Sequence, residues 1–240
     1  ERVIGNFGAE TSVFYGLPSI EGYDAVYIRK YGEFIASLSN GKLEQSARSV
    51  VSFSKNGINT PKAVNLLGVK YVVHQVSDGR NVWAFPYWDY PKGMFTLVYR
   101  DEKYQIYKNN NAYPRAFLVD KYEVINSPQK TLDIMFNNDF NLRDSVVLAK
   151  NPEVAAVTGF KGEALISQYS PNKIIIKTHS NANSLLFLSD SYYSGWVAYV
   201  DKKKTEIYLA DYAFKAVVVP QGNHTVTFVY SPLSFKIGIL

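Results

Sequence analysis

The chain of 240 residues has no cysteine, which excludes a disulfide, a thiolate metal site and a cysteine nucleophile. That absence fits an extracytoplasmic bacterial domain that avoids stray oxidation. Histidine is scarce: His74, His179 and His224 are the only three. None has a second histidine or a carboxylate at ligand spacing, so structural or solvated roles are expected and no metal. No run approaches the ~18 apolar residues of a membrane span, and no leader pattern opens the chain. Gly57-Ile58-Asn59-Thr60 lacks the lysine and the strand–helix context of a phosphate loop, and no G-x-S-x-G elbow occurs. No cofactor is therefore expected. Nucleic acid is not expected either, because the one dense basic run, Lys202-Lys203-Lys204, falls in what reads as a solvated hairpin turn.

What the chain does have is aromatic and apolar residues: 19 Tyr, 14 Phe and 3 Trp, within 47% hydrophobic and 20% charged residues. That composition buries a core, and tyrosine in such numbers favours strands. It also suits a sugar-facing or interface-facing surface, although tyrosines also simply decorate sheet faces. The net charge of +5 is mildly basic and compatible with anionic lipid or anionic envelope polymers. The chain starts abruptly at Glu1 and ends on rising hydrophobicity, Phe235-Lys236-Ile237-Gly238-Ile239-Leu240. It is therefore expected to be a fragment of something longer.

The local pattern predicts an α+β half over residues 1–150 and an all-β half over 151–240. Asp24 is placed to cap a helix running to about Ser39, with Val26, Ile28, Tyr31, Phe34, Ile35 and Leu38 as its apolar positions and Asn40-Gly41 as its stop. Pro61 opens a short helix, Lys62 to Leu67, closed by Gly68, and Val69 to Val73 follows as a strand. Trp83 to Pro91 is an aromatic loop barred from a central strand by Pro86 and Pro91. Met94–Tyr99 and Tyr104–Lys108 form a hairpin, Arg115–Val119 a strand, and Ser127-Pro128 starts a helix to about Phe136. Beyond residue 150, strands are expected at Ser167–Ser170, Lys173–Thr178, Ser184–Ser189, Trp196–Val200, Thr205–Leu209, Phe214–Val219 and His224–Tyr230. Turns at Pro171-Asn172, Asp201-Lys202 and Gln221-Gly222-Asn223 separate them. Short strands so spaced read as an antiparallel sandwich, jelly-roll or immunoglobulin-like, and no solenoid or propeller period is present.

Glycoside chemistry needs two carboxyl groups converging in a cleft. Glu21 with Asp24 and Asp190 with Asp201 are the candidates. A helix cap explains Asp24 and turn formation explains the other pair, so no catalytic residue is assigned. Asn223-His224-Thr225 matches a glycosylation sequon but overlaps a Gly-Asn turn that accounts for the asparagine. The densest region is Asp190-Ser191-Tyr192-Tyr193-Ser194-Gly195-Trp196-Val197-Ala198-Tyr199-Val200-Asp201. Trp196 is expected in the sandwich core, with Gly195 allowing a sharp turn. Tyr192 and Tyr193 either present an aromatic platform to a sugar or pack beside the turn.

These residues resemble the YfhO family of bacterial membrane proteins. The segment from Asp190 through Gly195-Trp196 to Asp201 is similar to its Gly-Trp block. Val219-Pro220-Gln221-Gly222-Asn223-His224-Thr225-Val226 is similar to its Gly-x-His turn. Tyr230-Ser231-Pro232 through Gly238 resembles its exit toward a transmembrane helix. Upstream, Glu21-Gly22-Tyr23-Asp24, Leu67 to Val73 and Tyr113-Pro114-Arg115-Ala116-Phe117 resemble further blocks in the same order. Ser194 stands where the family usually has proline, and Lys202 where it often has glycine; both are turn positions.

The resemblance implies that the intact protein is a polytopic, C-type glycosyltransferase-like membrane protein that uses a lipid-linked sugar to modify envelope polymers. It implies a metal-dependent catalytic site in the transmembrane half, so no catalytic role passes to this chain. The expected role is an extracytoplasmic domain at the cell membrane that binds or positions a cell-envelope glycan or anionic polymer through Tyr87, Trp88, Tyr90, Tyr192 and Tyr193. The alternative is a structural module resting on its own transmembrane domain or on the membrane surface.

Overall fold

The computed structural model describes residues 1–5, 14–23, 27–45, 50–51, 53, 56–76 and 85–232. The chain divides into two compact units, Glu1–Pro114 and Arg115–Leu240.

The first unit is α+β. Its sheet runs in the order β1 (Arg2–Gly5), β4 (Val69–Gln75), β6 (Tyr104–Asn109), β5 (Phe95–Arg100). β1 and β4 are parallel, and the remaining pairs are antiparallel. A parallel pair needs a long crossover, and the chain supplies it with α1 (Arg29–Ser37) and α2 (Thr60–Leu66), while β2 (Gly22–Tyr23) and β3 (Val50–Val51) pair separately. Phe34 and Ile35 from α1, Leu38 just after it, Val64 and Leu66 from α2, and Ile4, Val69 and Val72 from the strands are buried as its core. The expected stops are present: Gly41 and Gly68 have positive φ, and the Gly41 amide donates to the Ser37 carbonyl at 2.7 Å. The expected start is not. α1 begins at Arg29 after an extended Ile28 that makes no side-chain cap bond, and Asp24 lies outside the described residues. Asn109 is fully buried and donates to Asn65 Oδ1 and the Val69 carbonyl, tying α2 to the sheet.

The second unit is a two-sheet, sandwich-like body. One sheet has the order β7 (Ala116–Val119), β12 (Ser184–Leu188), β16 (Phe214–Val219), β15 (Tyr208–Ala210), β9 (Ser145–Leu148), β8 (Lys121–Val124). The other runs β10 (Gly162–Ser170), β11 (Lys173–Ser180), β17 (Gly222–Tyr230), β13 (Trp196–Val200), β14 (Lys203–Thr205). Between them Leu118, Leu186, Leu188, Val217 and Val219 pack against Ile174, Ile176, Ala198, Val226 and Phe228. The alternation along β11 shows the period of two, with Ile174, Ile176 and Thr178 buried and their neighbours not. β8, α3 (Pro128–Phe136) and β9 form a parallel crossover unit, whose Leu132, Met135, Val146 and Leu148 are buried. Ser127 sits extended before α3 as expected, yet its side chain makes no cap bond; Thr131 Oγ1 instead donates to its carbonyl.

Two differences from the sequence pattern have physical causes. The change of character near residue 150 falls inside the second unit, because β7, β8 and β9 join the sheet formed by β12, β15 and β16. The single strand expected at Thr205–Leu209 is two, since β14 pairs with β13 in one sheet and β15 with β16 in the other; the chain crosses between sheets at Glu206-Ile207.

Candidate functional site

Two aromatic clusters gather most of the sequence candidates, one in each unit. In the first unit Pro86 introduces a single 3₁₀ turn, Tyr87–Asp89, that sets Tyr87 and Trp88 beside β4 and β6. Tyr87 stacks on Tyr107 at 3.8 Å between ring centroids. Its hydroxyl donates to Tyr107 Oη at 2.7 Å, and Tyr107 donates in turn to Gln105 Oε1 at 2.8 Å. Burial, then the Tyr107 hydrogen bond, pushes the Tyr87 phenol well above its ordinary range, so the Tyr87 hydroxyl keeps its proton. His74 meets the edges of Tyr87 and Trp88 at 5.6 and 5.8 Å. It is buried, burial lowers its pKa, and among the described residues its Nδ1 has no hydrogen-bond partner. Trp88 is 48% exposed. The result is a half-open aromatic surface edged by hydroxyl and amide groups.

Tyr90 does not belong to that surface. It packs on Phe85 at 5.0 Å and Phe95 at 5.5 Å, and burial first, then the Asp89 charge, raises its pKa. Its ring turns toward Phe85 and Phe95 although Pro91 to Gly93 after it are exposed, which the sequence pattern of alternating aromatics and prolines does not reveal.

The second cluster is the Gly195-Trp196 corner. Gly195 has φ of 100° and a side chain there would meet Tyr230 Cε2 at 2.9 Å and Pro232 Cα at 3.2 Å, so only glycine fits. The Ser231 amide donates to the Gly195 carbonyl at 2.7 Å. This close approach stacks Tyr193 on Tyr230 at 6.3 Å and brings Trp196 to Tyr230 at 5.4 Å. Trp196 is half-buried and packs on the sandwich core as expected. Its ring lies 3.9 Å from Nζ of the buried Lys215, a cation–π contact. Tyr193 is 47% exposed, whereas Tyr192 is half-buried and its amide donates to the Ala213 carbonyl. Tyr192 therefore contributes less open surface than its position before the turn implied.

The carboxylates proposed as a hydrolytic pair are engaged elsewhere. Asp190 accepts from Arg115 at 2.8 Å and from the Tyr169 hydroxyl at 3.0 Å, with the guanidinium 4.0 Å from the Tyr169 ring centroid. Asp201 accepts from the Thr225 amide at 2.8 Å and pairs with His224, whose other nitrogen meets the Gln221 carbonyl. Each is held in its own ion pair, so neither is free to serve as an acid or base opposite the other. Glu21 accepts from the Phe53 amide at 3.0 Å, and its partner Asp24 lies outside the described residues. His179 pairs with Asn223 at 2.9 Å, which agrees with the structural role expected of it. For Gly22 and Tyr23 only the backbone pairing of β2 is described.

Sequence reasoning missed Arg115 and Tyr169 as partners of Asp190, and Lys215 under Trp196. A lysine inside an otherwise apolar strand, Phe214-Lys215-Ala216-Val217-Val218-Val219, was the available signal for the last. Among the described residues no group of His, Asp or Glu is arranged to hold a metal, and no helix is long and apolar enough to cross a membrane.

A family model described as bacterial membrane protein YfhO matches residues 129–240. The matched span contains Asp190, Gly195, Trp196, Asp201, Gly222, His224, Tyr230 and Pro232; the upstream blocks at 21–24, 67–73 and 113–117 lie outside it. No curated protein and no solved structure matches the chain.

Proposed function

Because residues 129–240 belong to the family of the bacterial membrane protein YfhO, we propose that this chain is a non-catalytic extracytoplasmic region that holds a cell-envelope carbohydrate for a membrane-embedded, glycosyltransferase-like half of the same protein. The observation that carries the proposal is the Trp88 face, 48% exposed, beside a Tyr87–Tyr107 stack whose hydroxyls end at Gln105. Pyranose rings offer an apolar face to an aromatic ring and hydroxyls to its polar rim, and this surface presents both. Isothermal titration of envelope glycans and anionic wall polymers into the chain is expected to give saturable, millimolar-range or tighter binding. Trp88→Ala is expected to weaken that binding about tenfold or more, as removal of a central aromatic anchor does. No heat at millimolar ligand sinks the proposal.

A second reading is favoured by the Tyr193–Tyr230–Trp196 corner. On it the sandwich is a structural module that packs on the protein's own membrane domain or on lipid, and the glycan titrations stay silent. For the fold, we read β11–β17–β13 facing β12–β16–β15 as a jelly-roll-like wrapping in preference to an immunoglobulin-like one.

A further inference from the structure

The outer face of the five-stranded sheet remains after both aromatic clusters are accounted for. β11 buries Ile174, Ile176 and Thr178, so Lys173, Ile175 and Lys177 point away from the core. Register extends this face across the sheet. Leu165 pairs with Lys177, which pairs with Thr225. Ile175 pairs with Thr227, Thr227 with Tyr199, and Tyr199 with Lys204. Lys173 pairs with Val229, and Val229 with Val197.

Those positions are open. Lys173, Lys177 and Lys204 are exposed; Ile175, Val197, Tyr199 and Val229 are half-exposed. Leu165, 68% exposed, stands beside Lys177. Two carboxylates stand at the edges of this face, Glu163 opposite His179 and Asp201 beside Thr225, where it is paired with His224. The face is therefore a broad sheet surface with cations spread over it and aliphatic side chains between them.

We propose that this face docks on an anionic phospholipid bilayer. Three separated ammonium groups complement lipid phosphates. The half-exposed Ile175, Val197, Val229 and the open Leu165 complement the less polar layer just below them. A soluble polyanion would satisfy the lysines and leave those apolar side chains in water, so the combination favours a lipid surface. A bilayer is also at hand, since the family is one of membrane proteins. This docking is independent of the glycan surface around Trp88.

Flotation of the purified chain with vesicles tests it. The chain is expected to float with phosphatidylglycerol–phosphatidylethanolamine vesicles at low salt and to be released as salt rises; vesicles of phosphatidylcholine alone are expected to leave it behind. At about fivefold per lysine, the combined variant Lys173→Glu, Lys177→Glu, Lys204→Glu is expected to lose affinity on the order of a hundredfold or more. Leu165→Ser, a single exposed change, is expected to weaken binding severalfold while leaving the circular dichroism and melting temperature unchanged. Trp88→Ala is expected to float like the parent, so failure here and failure of the glycan proposal are distinguishable. The proposal is overturned if the parent does not float, or if the triple variant floats equally well. It is equally overturned if Leu165→Ser has no effect while soluble polyphosphate competes fully, because the face then belongs to an anionic polymer.

Discussion

Asp211 shows how a single residue can set the pH response of the second unit. It begins the tight three-residue turn Asp211–Ala213 between β15 and β16, in which Asp211 and Tyr212 have φ of 44° and 70°. Its amide donates to the Val147 carbonyl and its Oδ1 accepts from the Val147 amide, both at 2.8 Å. The side chain thus completes the pairing toward β9 that the turn interrupts. Its Oδ2 is buried with no hydrogen-bond partner among the described residues, and burial raises the carboxyl from 3.8 to about 8. Between those values the folded protein keeps a proton that the unfolded chain has released. Stability therefore falls as pH rises from about 4 to 8, with the loss complete above that, and it amounts to a few kcal/mol. Asp211→Asn keeps the oxygen that accepts from Val147 and removes the titration. Urea melts of the two proteins at pH 4.5 and pH 9 are expected to show a flatter profile for the variant, which becomes the more stable of the two at pH 9. Parallel profiles would mean that Asp211 is not buried as described.

At the scale of elements, turn chemistry was legible and partners across strands were not. Asp201-Lys202 reads as a turn in the sequence, and it forms the two-residue loop between β13 and β14, with φ of 49° and 69°. Nothing local shows that Asp201 also reaches β17, where it takes the Thr225 amide and His224. That contact joins a hairpin to the strand beside it. It also moves both ionisations: the bond from Thr225 and then His224 lower Asp201, while Asp201 and then the Gln221 carbonyl raise His224. The His224 contribution is complete below its ordinary value of 6.5 and fades as pH rises through the raised folded value. The Asp201 contribution is present above 3.8 and fades as pH falls through the lowered one. Asp201→Asn separates charge from turn geometry, because asparagine still accepts from Thr225 and tolerates positive φ. The His224 ring resonances are expected to titrate with a midpoint above 6.5 in the parent and to move down in Asp201→Asn. An unchanged midpoint would remove the ion pair from the account.

For the whole molecule, local periodicity identified most elements but not which body they join. The segment 115–150 carries a helix between short strands, so by local pattern it resembles the α+β residues before it. Its pairing is long-range: β7 lies against β12 with Ala116 opposite Leu188 and Val119 opposite Leu185, and such separations leave no periodic trace in the segment itself. The energetic stake is large. Phe117, Leu118 and Val119 are all at most 4% exposed, and at ~1.5–3 kcal/mol for each fully buried side chain they contribute roughly 5–9 kcal/mol. That is comparable to the total ~5–15 kcal/mol stability of a domain. Leu132, Met135, Val146 and Val147, also buried, add to it. A fragment spanning residues 115–240 is therefore expected to give dispersed amide resonances and a cooperative urea transition. A fragment spanning 151–240, cut where the sequence changes character, loses β7, β8, α3 and β9 and uncovers Phe187 and Phe214, both fully buried in the intact unit. It is expected to aggregate or to melt without cooperativity. A folded, cooperative 151–240 fragment would return the boundary to residue 150 and make the preceding strands an attachment to the sandwich instead of part of it.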